Sequence, residues 1–321
     1  MASVAHAVCS APLLPTQHST NRPQIAGVVM AVGAYGWWAV VAPLYYHVVE
    51  EVSVGELLAW RVVAGLPLLT LMLLAVGRLH EVVAVLKRPR VLVTLGLSGI
   101  LIAVNWTVFV VSVIEHRLSD ASLGYYICPL FSVALGMVVL GERMRLAQWV
   151  AIGLAAAGVG VLAWRTGGLP WIALALAGSF GLYGLIRKQV DAAPAPGLAV
   201  EMLFLLPFMV VLLFVDHSIS GSTFMKGSLW TAIVLFGGGI VTVVPLILFA
   251  GGARRLQLST VAILQYISPT GQLLLAVLAF DEPFGIDQSI AFALIWMAVT
   301  VYSIDTVRSA RRPAVTIPGE A

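Results

Sequence analysis

The residues of this 321-residue chain that can do chemistry lie inside long apolar runs. Arg61 interrupts the run 54–76, and Asn105-Trp106 sits in the middle of 91–114. Tyr125, Tyr126, Gln265 and Tyr266 lie well inside two others. A charged side chain at the centre of a bilayer costs at least ~2.5 kcal/mol, so Arg61 must face a partner or a wet cavity. Its structural partners would be Glu56, Glu115 or Asp281, or it snorkels to the interface. Its functional reading is a contact to a substrate anion or a coupling ion. Asn105 can bridge helices, at around 1 kcal/mol, or contact a solute. Tyr35, Trp37 and Trp38 offer an aromatic wall, as Tyr183 does further on. Singly, such aromatics are packing or interface anchors; as a set they suit a cavity for an amphipathic or aromatic solute. The substrate-binding candidates are Tyr35, Trp38, Arg61, Asn105, Tyr126, Tyr183, Gln265 and Tyr266, and the coupling-ion candidates are Glu56 and Glu201.

Enzymatic chemistry finds no site. There is no His-Glu-x-x-His, no Gly-x-Ser-x-Gly and no Walker motif. The six histidines lie in the tail or near the ends of apolar runs without metal-ligand spacing. The two cysteines, Cys9 and Cys128, lie in a polar tail and an apolar run. No catalytic residue, metal or cofactor is expected.

The elements that position these residues are membrane helices. Apolar residues make up 60% and charged residues 10%, against about 25% charged in soluble proteins, and mean hydropathy is +1.00. Spanning helices need about 20 mostly apolar residues. Ten runs qualify: 25–49, 54–76, 91–114, 121–140, 147–164, 169–187, 198–215, 229–250, 260–279 and 286–305. They are too long and continuous for barrel strands. With the N-terminus in the cytoplasm, 14 of the 18 Lys and Arg fall in inner loops. Arg117, Arg165 and Lys226 fall outside and Arg61 lies within a span, as the positive-inside rule requires. Residues 1–24 read as a disordered cytoplasmic tail without signal-peptide character, and 306–321 as a second cytoplasmic tail. The loops leave no room for a soluble domain; the longest spans about 77–90.

One segment occurs twice. Tyr126-Ile127-Cys128-Pro129 leads to Glu142, and Tyr266-Ile267-Ser268-Pro269 leads to Glu282, 140 residues later with the same spacing. Leu118-Ser119 likewise matches Leu258-Ser259, and Phe109 matches Phe249; further upstream the offset becomes 145, pairing Tyr35 with Phe180, Trp38 with Tyr183 and Glu56 with Glu201. Two halves of five spans each, 25–164 and 169–305, enter the membrane from opposite sides. The expected fold is therefore all-α, with ten transmembrane helices as two inverted five-helix repeats, a common transporter architecture. Pro129 and Pro269 approach the midplane from opposite faces, ~12 Å deep at 1.5 Å per residue. Each frees a carbonyl one turn earlier and weakens the helix, although prolines are also common in membrane helices without function. They are the gating or helix-break candidates. Gly33 and Gly36, with Gly178, Gly181 and Gly184, suit close helix packing. No span carries the regular polar stripe or charged ring of a channel.

Asn105-Trp106-Thr107, Ala121-Ser122-Leu123-Gly124-Tyr125-Tyr126, Pro129-Leu130, Gly141-Glu142-Arg143, Glu56-Leu57-Leu58-Ala59-Trp60-Arg61 and Gln148-Trp149 resemble the RarD branch of the drug/metabolite transporters. The resemblance covers about residues 25–305. It implies two EamA-type domains, ten spans, inverted symmetry and an inner-membrane permease; the family name refers to chloramphenicol sensitivity. The family motif usually has Asn where this chain has Cys128, so a solute contact at that position would differ here. The expected function is a secondary transporter of small metabolites or drugs, working by alternating access around a mid-membrane cavity. An uncoupled facilitator of an amphipathic solute and a lipid-handling protein are the alternatives. The expected partners are a small-molecule substrate and the lipid bilayer of the bacterial inner membrane, with no nucleic acid; a homodimer is compatible with the chain.

Overall fold

The structure is a computed structural model that describes residues 21–49, 52–114, 118–164, 171–220, 224, 227–279 and 285–310. Both expected tails lie mostly outside this range, as do Glu115 and Asp281. The described residues form helices and no strands. In chain order these are α1 (Asn21–Val48), α2 (Val54–Val63), α3 (Gly65–Ala75), α4 (Leu79–Leu86), α5 (Pro89–Ile114), α6 (Leu118–Leu140) and α7 (Leu146–Ala163). They continue with α8 (Trp171–Gln189), α9 (Pro194–Ser220), α10 (Leu229–Arg255), α11 (Leu258–Gln265), α12 (Ile267–Ala279) and α13 (Ile286–Ala310).

Six stretches are helical, long and apolar enough to cross a membrane: Pro23–Tyr46, Val54–Ala75, Pro89–Phe109, Pro194–Ser218, Leu229–Arg255 and Ser289–Ser309. Shorter apolar helices run over Gly124–Leu140 and Leu146–Val161. Many large apolar side chains are exposed, among them Val93, Val138, Phe214 and Leu278. In water such a surface would aggregate, whereas in lipid it costs nothing. The chain is a multi-pass membrane protein.

Prolines account for two interruptions. Pro67 has no N–H to offer the carbonyl of Val63, and the ladder loses a bond where α2 passes into α3 at Ala64, which itself stays helical. Pro269 does the same for Gln265, and the chain turns at Tyr266 between α11 and α12. Pro129 behaves differently, since α6 runs unbroken through it. The expectation of paired helix breaks is therefore corrected at Pro129: a missing ladder bond alone does not divide a helix held by its neighbours. The expected loop 77–90 is also corrected. It contains α4, whose Val82 and Val85 pack against Leu95 and Val200. Gly77 takes the left-handed φ of +71° at the turn into it.

Helix pairs pack closely, α1 on α10, α6 on α8, and α7 on α13. A close backbone crossing brings α10 onto the α2–α3 junction. A Cβ added at Gly239 would lie 2.8 Å from the backbone nitrogen of Gly65 and 2.9 Å from the carbonyl carbon of Ala64. Backbone cannot rotate away as a side chain can. Gly239→Val is expected to cost about 1–3 kcal/mol, read as a lowered unfolding temperature in detergent. Gly237→Val has no neighbour to meet and is the control; equal effects of the two would refute the crossing.

Charge and capping interactions gather at one end of the bundle, where α6 and α8 finish and α11 begins. Gly141, at φ +65°, turns the chain so that the N–H of Glu142 returns to the carbonyl of Gly136 at 3.0 Å. The Glu142 carboxylate then accepts from the backbone N–H groups of Leu258 (2.6 Å) and Ser259 (3.1 Å) at the start of α11. Lys188 donates to the carbonyls of Ala253 and Leu256 at the end of α10. Arg254 donates to the carbonyl of Ala192. Arg145 pairs with Asp305 at 2.6 Å. This is the Glu142 end; the opposite one, where α1 and α5 finish and α2, α6 and α10 start, is the Arg61 end.

Candidate functional site

A cavity of about 450 Å³ opens between α1, α2, α5, α6, α8, α10 and the α11–α12 pair. It reaches from mid-bundle towards the Arg61 end. Arg61 reaches it because Ser53 caps α2, accepting from the N–H of Glu56 at 3.2 Å, and two turns of helix follow. Its guanidinium carbon lies 5.1 Å from the centre of the Tyr46 ring and 5.2 Å from that of Trp106. Cation–π contacts of this kind are worth about 0.5–2 kcal/mol each, more when desolvated. None of Glu56, Glu115 or Asp281 is seen paired with it: Glu56 bonds elsewhere, and the other two lie outside the described residues.

The aromatic wall is the edge of a larger stack. Trp38 meets Phe180 edge-on at 5.8 Å, Phe180 meets Phe249 at 5.1 Å, and Tyr183 stacks on Phe249 at 5.8 Å and 17°. Tyr35, Trp38 and Phe180 line the cavity, with Tyr183 and Phe249 behind them. Asn105 lines it too, and its amide N–H groups donate to the carbonyl of Leu176 and the hydroxyl of Ser179, both at 3.0 Å. Asn105 is thus a helix bridge that also lines the cavity. Gln272 donates to the carbonyl of Trp38 at 2.9 Å, which ties α12 to α1.

Of the expected solute-contacting residues, the cavity gathers Tyr35, Trp38, Arg61, Asn105 and Gln265, together with Pro269. It does not gather Tyr126, Tyr183 or Tyr266. Tyr126 packs against Phe292, and the Tyr266 hydroxyl donates to the backbone carbonyl of Tyr126 at 3.3 Å. The lining tyrosine of that pair is Tyr125; one helical step turns a side chain by about 100°. Glu56 is buried and accepts from the N–H of Phe224 at 3.1 Å. Glu201 is buried against Arg187, with N···O 3.2 Å. Neither carboxylate lines the cavity.

Tyr46, Phe109, Thr242, Ser268 and Gln272 were missed as lining residues. Gln265, Ser268 and Gln272 recur at i, i+3 and i+7, which is a polar stripe on one helical face. The expectation of no such stripe is corrected for this pair of helices, and the spacing was there to be read.

Comparison with known proteins bears on this arrangement. The EamA-like transporter family model matches residues 25–164. The chain is 39% identical over 286 residues to a protein named RarD from Salmonella typhi, covering 89% of this chain and 97% of that protein. It is 40% identical over 297 residues to an uncharacterized transporter of Vibrio cholerae, covering 92% and 97%. A protein of Pseudomonas aeruginosa named chloramphenicol-sensitive protein RarD is 28% identical over 292 residues, covering 90% and 97%. A solved crystal structure, 22% identical, superposes with a TM-score of 0.67 over 90% of this chain and all of that one, a likeness of fold.

Proposed function

We propose that this chain, which belongs to the EamA-like transporter family and within it to the RarD proteins, is a secondary transporter that exports small metabolites or drugs. It works by alternating access around the cavity described above. The chain crosses the bacterial inner membrane ten times as two inverted repeats, 25–164 and 169–305, with both termini cytoplasmic. The Arg61 end then faces outwards and the Glu142 end faces the cytoplasm.

The observation that carries this reading is that repeat-related residues meet at the cavity. At the offset of 145, Tyr35 and Phe180 both line it; at 140, so do Ile102 and Thr242, Trp106 and Leu246, and Tyr125 and Gln265. Tyr126 and Tyr266, also 140 apart, touch each other. A pseudo-two-fold axis through the site brings equivalent positions together in this way.

The departures from symmetry support an outward-open state. Phe109, Ser268 and Gln272 line the cavity on its outer side. Their equivalents, Phe249, Cys128 and Ser132, are buried and are not part of the lining. The outer half is open and the inner half is packed. Exchanging these roles between the repeats gives the inward-open state, in which Cys128, Ser132 and Phe249 become lining residues.

Glu56 and Glu201 sit away from the cavity in this state, each held by other groups. That favours the uncoupled facilitator as the second reading. Metabolite profiles of cells lacking and overexpressing the protein identify the solute, and its efflux is then measured from proteoliposomes. Trp38→Ala and Gln265→Ala are expected to cut that efflux at least tenfold, with stability retained. Wild-type flux in both would remove the cavity from the pathway. Dependence of flux on an imposed proton gradient would decide between coupled transport and facilitation.

A further inference from the structure

Among the described residues, no carboxylate compensates the positive charge in the cavity. Arg61 is the only charged residue in its lining, and no ion pair or hydrogen bond from its guanidinium is formed among the described residues. The carboxylates whose side chains are described are engaged elsewhere. Glu56 accepts from Phe224, Glu81 pairs with Arg78, and Glu142 caps α11. Asp191 pairs with Arg88, Glu201 with Arg187, Asp216 bonds Ser53, and Asp305 pairs with Arg145. What Arg61 touches instead is two ring faces, Tyr46 and Trp106. Ring faces stabilise the cation without consuming its N–H groups, which remain to donate to an oxyanion, bidentately where geometry allows. None of the guanidinium nitrogens is among the sealed, unpartnered polar atoms, so they stay reachable from the cavity.

Keeping such a group within a membrane is expensive. A purely structural Arg would be offset by a carboxylate. One cradled by aromatic rings at the mouth of a 450 Å³ cavity is offset when an anion arrives. The rest of the lining is mostly apolar, with Trp38, Phe109 and Phe180 on the walls and Asn105, Gln265 and Gln272 as sparse polar points. Resting on the transporter reading above, we infer that the solute of this site is an amphipathic organic anion: a carboxylate on an aromatic-sized apolar body. The carboxylate lies on Arg61 between Tyr46 and Trp106, and the apolar body lies against Trp38 and Phe180.

The test is equilibrium binding to the purified full-length protein in detergent at pH 8, where a carboxylic acid is ionised. The probes are 2-naphthoate, its neutral analogue 2-naphthamide and the cation 2-naphthylmethylammonium, which share one ring system. Wild-type protein is expected to bind naphthoate at least tenfold more tightly than either analogue. Arg61→Gln is expected to remove that preference without weakening the amide, and Arg61→Lys to restore part of it. Equal binding of the three probes, preference for the amide or the cation, or no binding of any at millimolar concentration would overturn the inference. So would an Arg61→Gln protein that keeps the preference. The wild-type comparison stands even if that variant fails to fold. Failure of the transporter reading would look different: naphthoate would bind, yet proteoliposomes would move no solute.

Discussion

Glu201→Ala is expected to destabilise the protein by about 3–5 kcal/mol, the cost of leaving one partner of a buried ion pair alone. Arg187 and Glu201 are both fully buried, on α8 and α9, and meet at 3.2 Å. Arg187 also donates to the carbonyl of Pro194 at 2.8 Å, and its Nε finds no partner. The second carboxylate oxygen of Glu201 is likewise unbonded, with the hydroxyls of Ser98 and Tyr183 beside it but outside hydrogen-bond geometry. The carboxylate is thus the main compensation for a guanidinium that has no route to solvent. Gly197 makes room for that guanidinium, because a Cβ there would overlap it. Thermal unfolding in detergent reads the effect. Glu201→Gln, which keeps an acceptor oxygen but loses the charge, should fall between wild type and alanine. Replacing both residues by leucine should recover much of the loss, because a packed apolar pair needs no desolvation. A Glu201→Ala protein within about 1 kcal/mol of wild type would mean that the pair is not buried as described.

The same two residues mark where the sequence stops being legible. Glu201 stood out as an acidic residue opening an apolar run, and its repeat partner Glu56 made it a coupling candidate. Arg187 was counted only as an inner-loop charge. Nothing in their separation brings them together, because 14 residues that include a turn can pair α8 with α9 in several registers. The all-helical class and the six helices long enough to cross a membrane were readable, since an apolar run of about 20 residues has few alternatives. Facing did not follow: Tyr125 and Tyr126 are chemically alike, and only the packing of α6 on α8 decides which one meets the cavity. Arg61 was legible as costly, while the rings that cradle it were not. Tyr46 sits near the end of the preceding helix, α1, and Trp106 was noticed only as the neighbour of Asn105. The repeat could have done more: Tyr125 and Gln265 are equivalent positions, and so are Tyr35 and Phe180.

Removing the Glu142 carboxylate is expected to open the inner end. Glu142 is the last residue of the doubled segment that marks the repeat. Its carboxylate crosses from the end of α6 to cap the first turn of α11, at 2.6 and 3.1 Å. Hydrogen bonds between a carboxylate and the exposed N–H groups of a helix start are charge-assisted and reinforced by the helix dipole. Together they contribute about 1.5–3 kcal/mol. Gly136 is shaped for this contact, since a Cβ there would come within 2.8 Å of the Glu142 carboxylate. On the proposed alternating access, the inward-open state would part α6 from α11, and the cap would belong to the outward-open state alone. Deleting it with Glu142→Ala therefore shifts the balance inwards by about tenfold or more, the equivalent of about 1.4 kcal/mol. Cys128 reports on this, because it is buried here and would become part of the lining under the proposed exchange of roles. In a Cys9→Ser background, Glu142→Ala should raise the rate of Cys128 alkylation by a membrane-permeant maleimide about tenfold. Gly136→Ala, which displaces the carboxylate without removing it, should raise it by less. Alkylation unchanged in a stably folded Glu142→Ala protein would refute the cap as an inner gate, and with it the exchange of roles between Phe109 and Phe249.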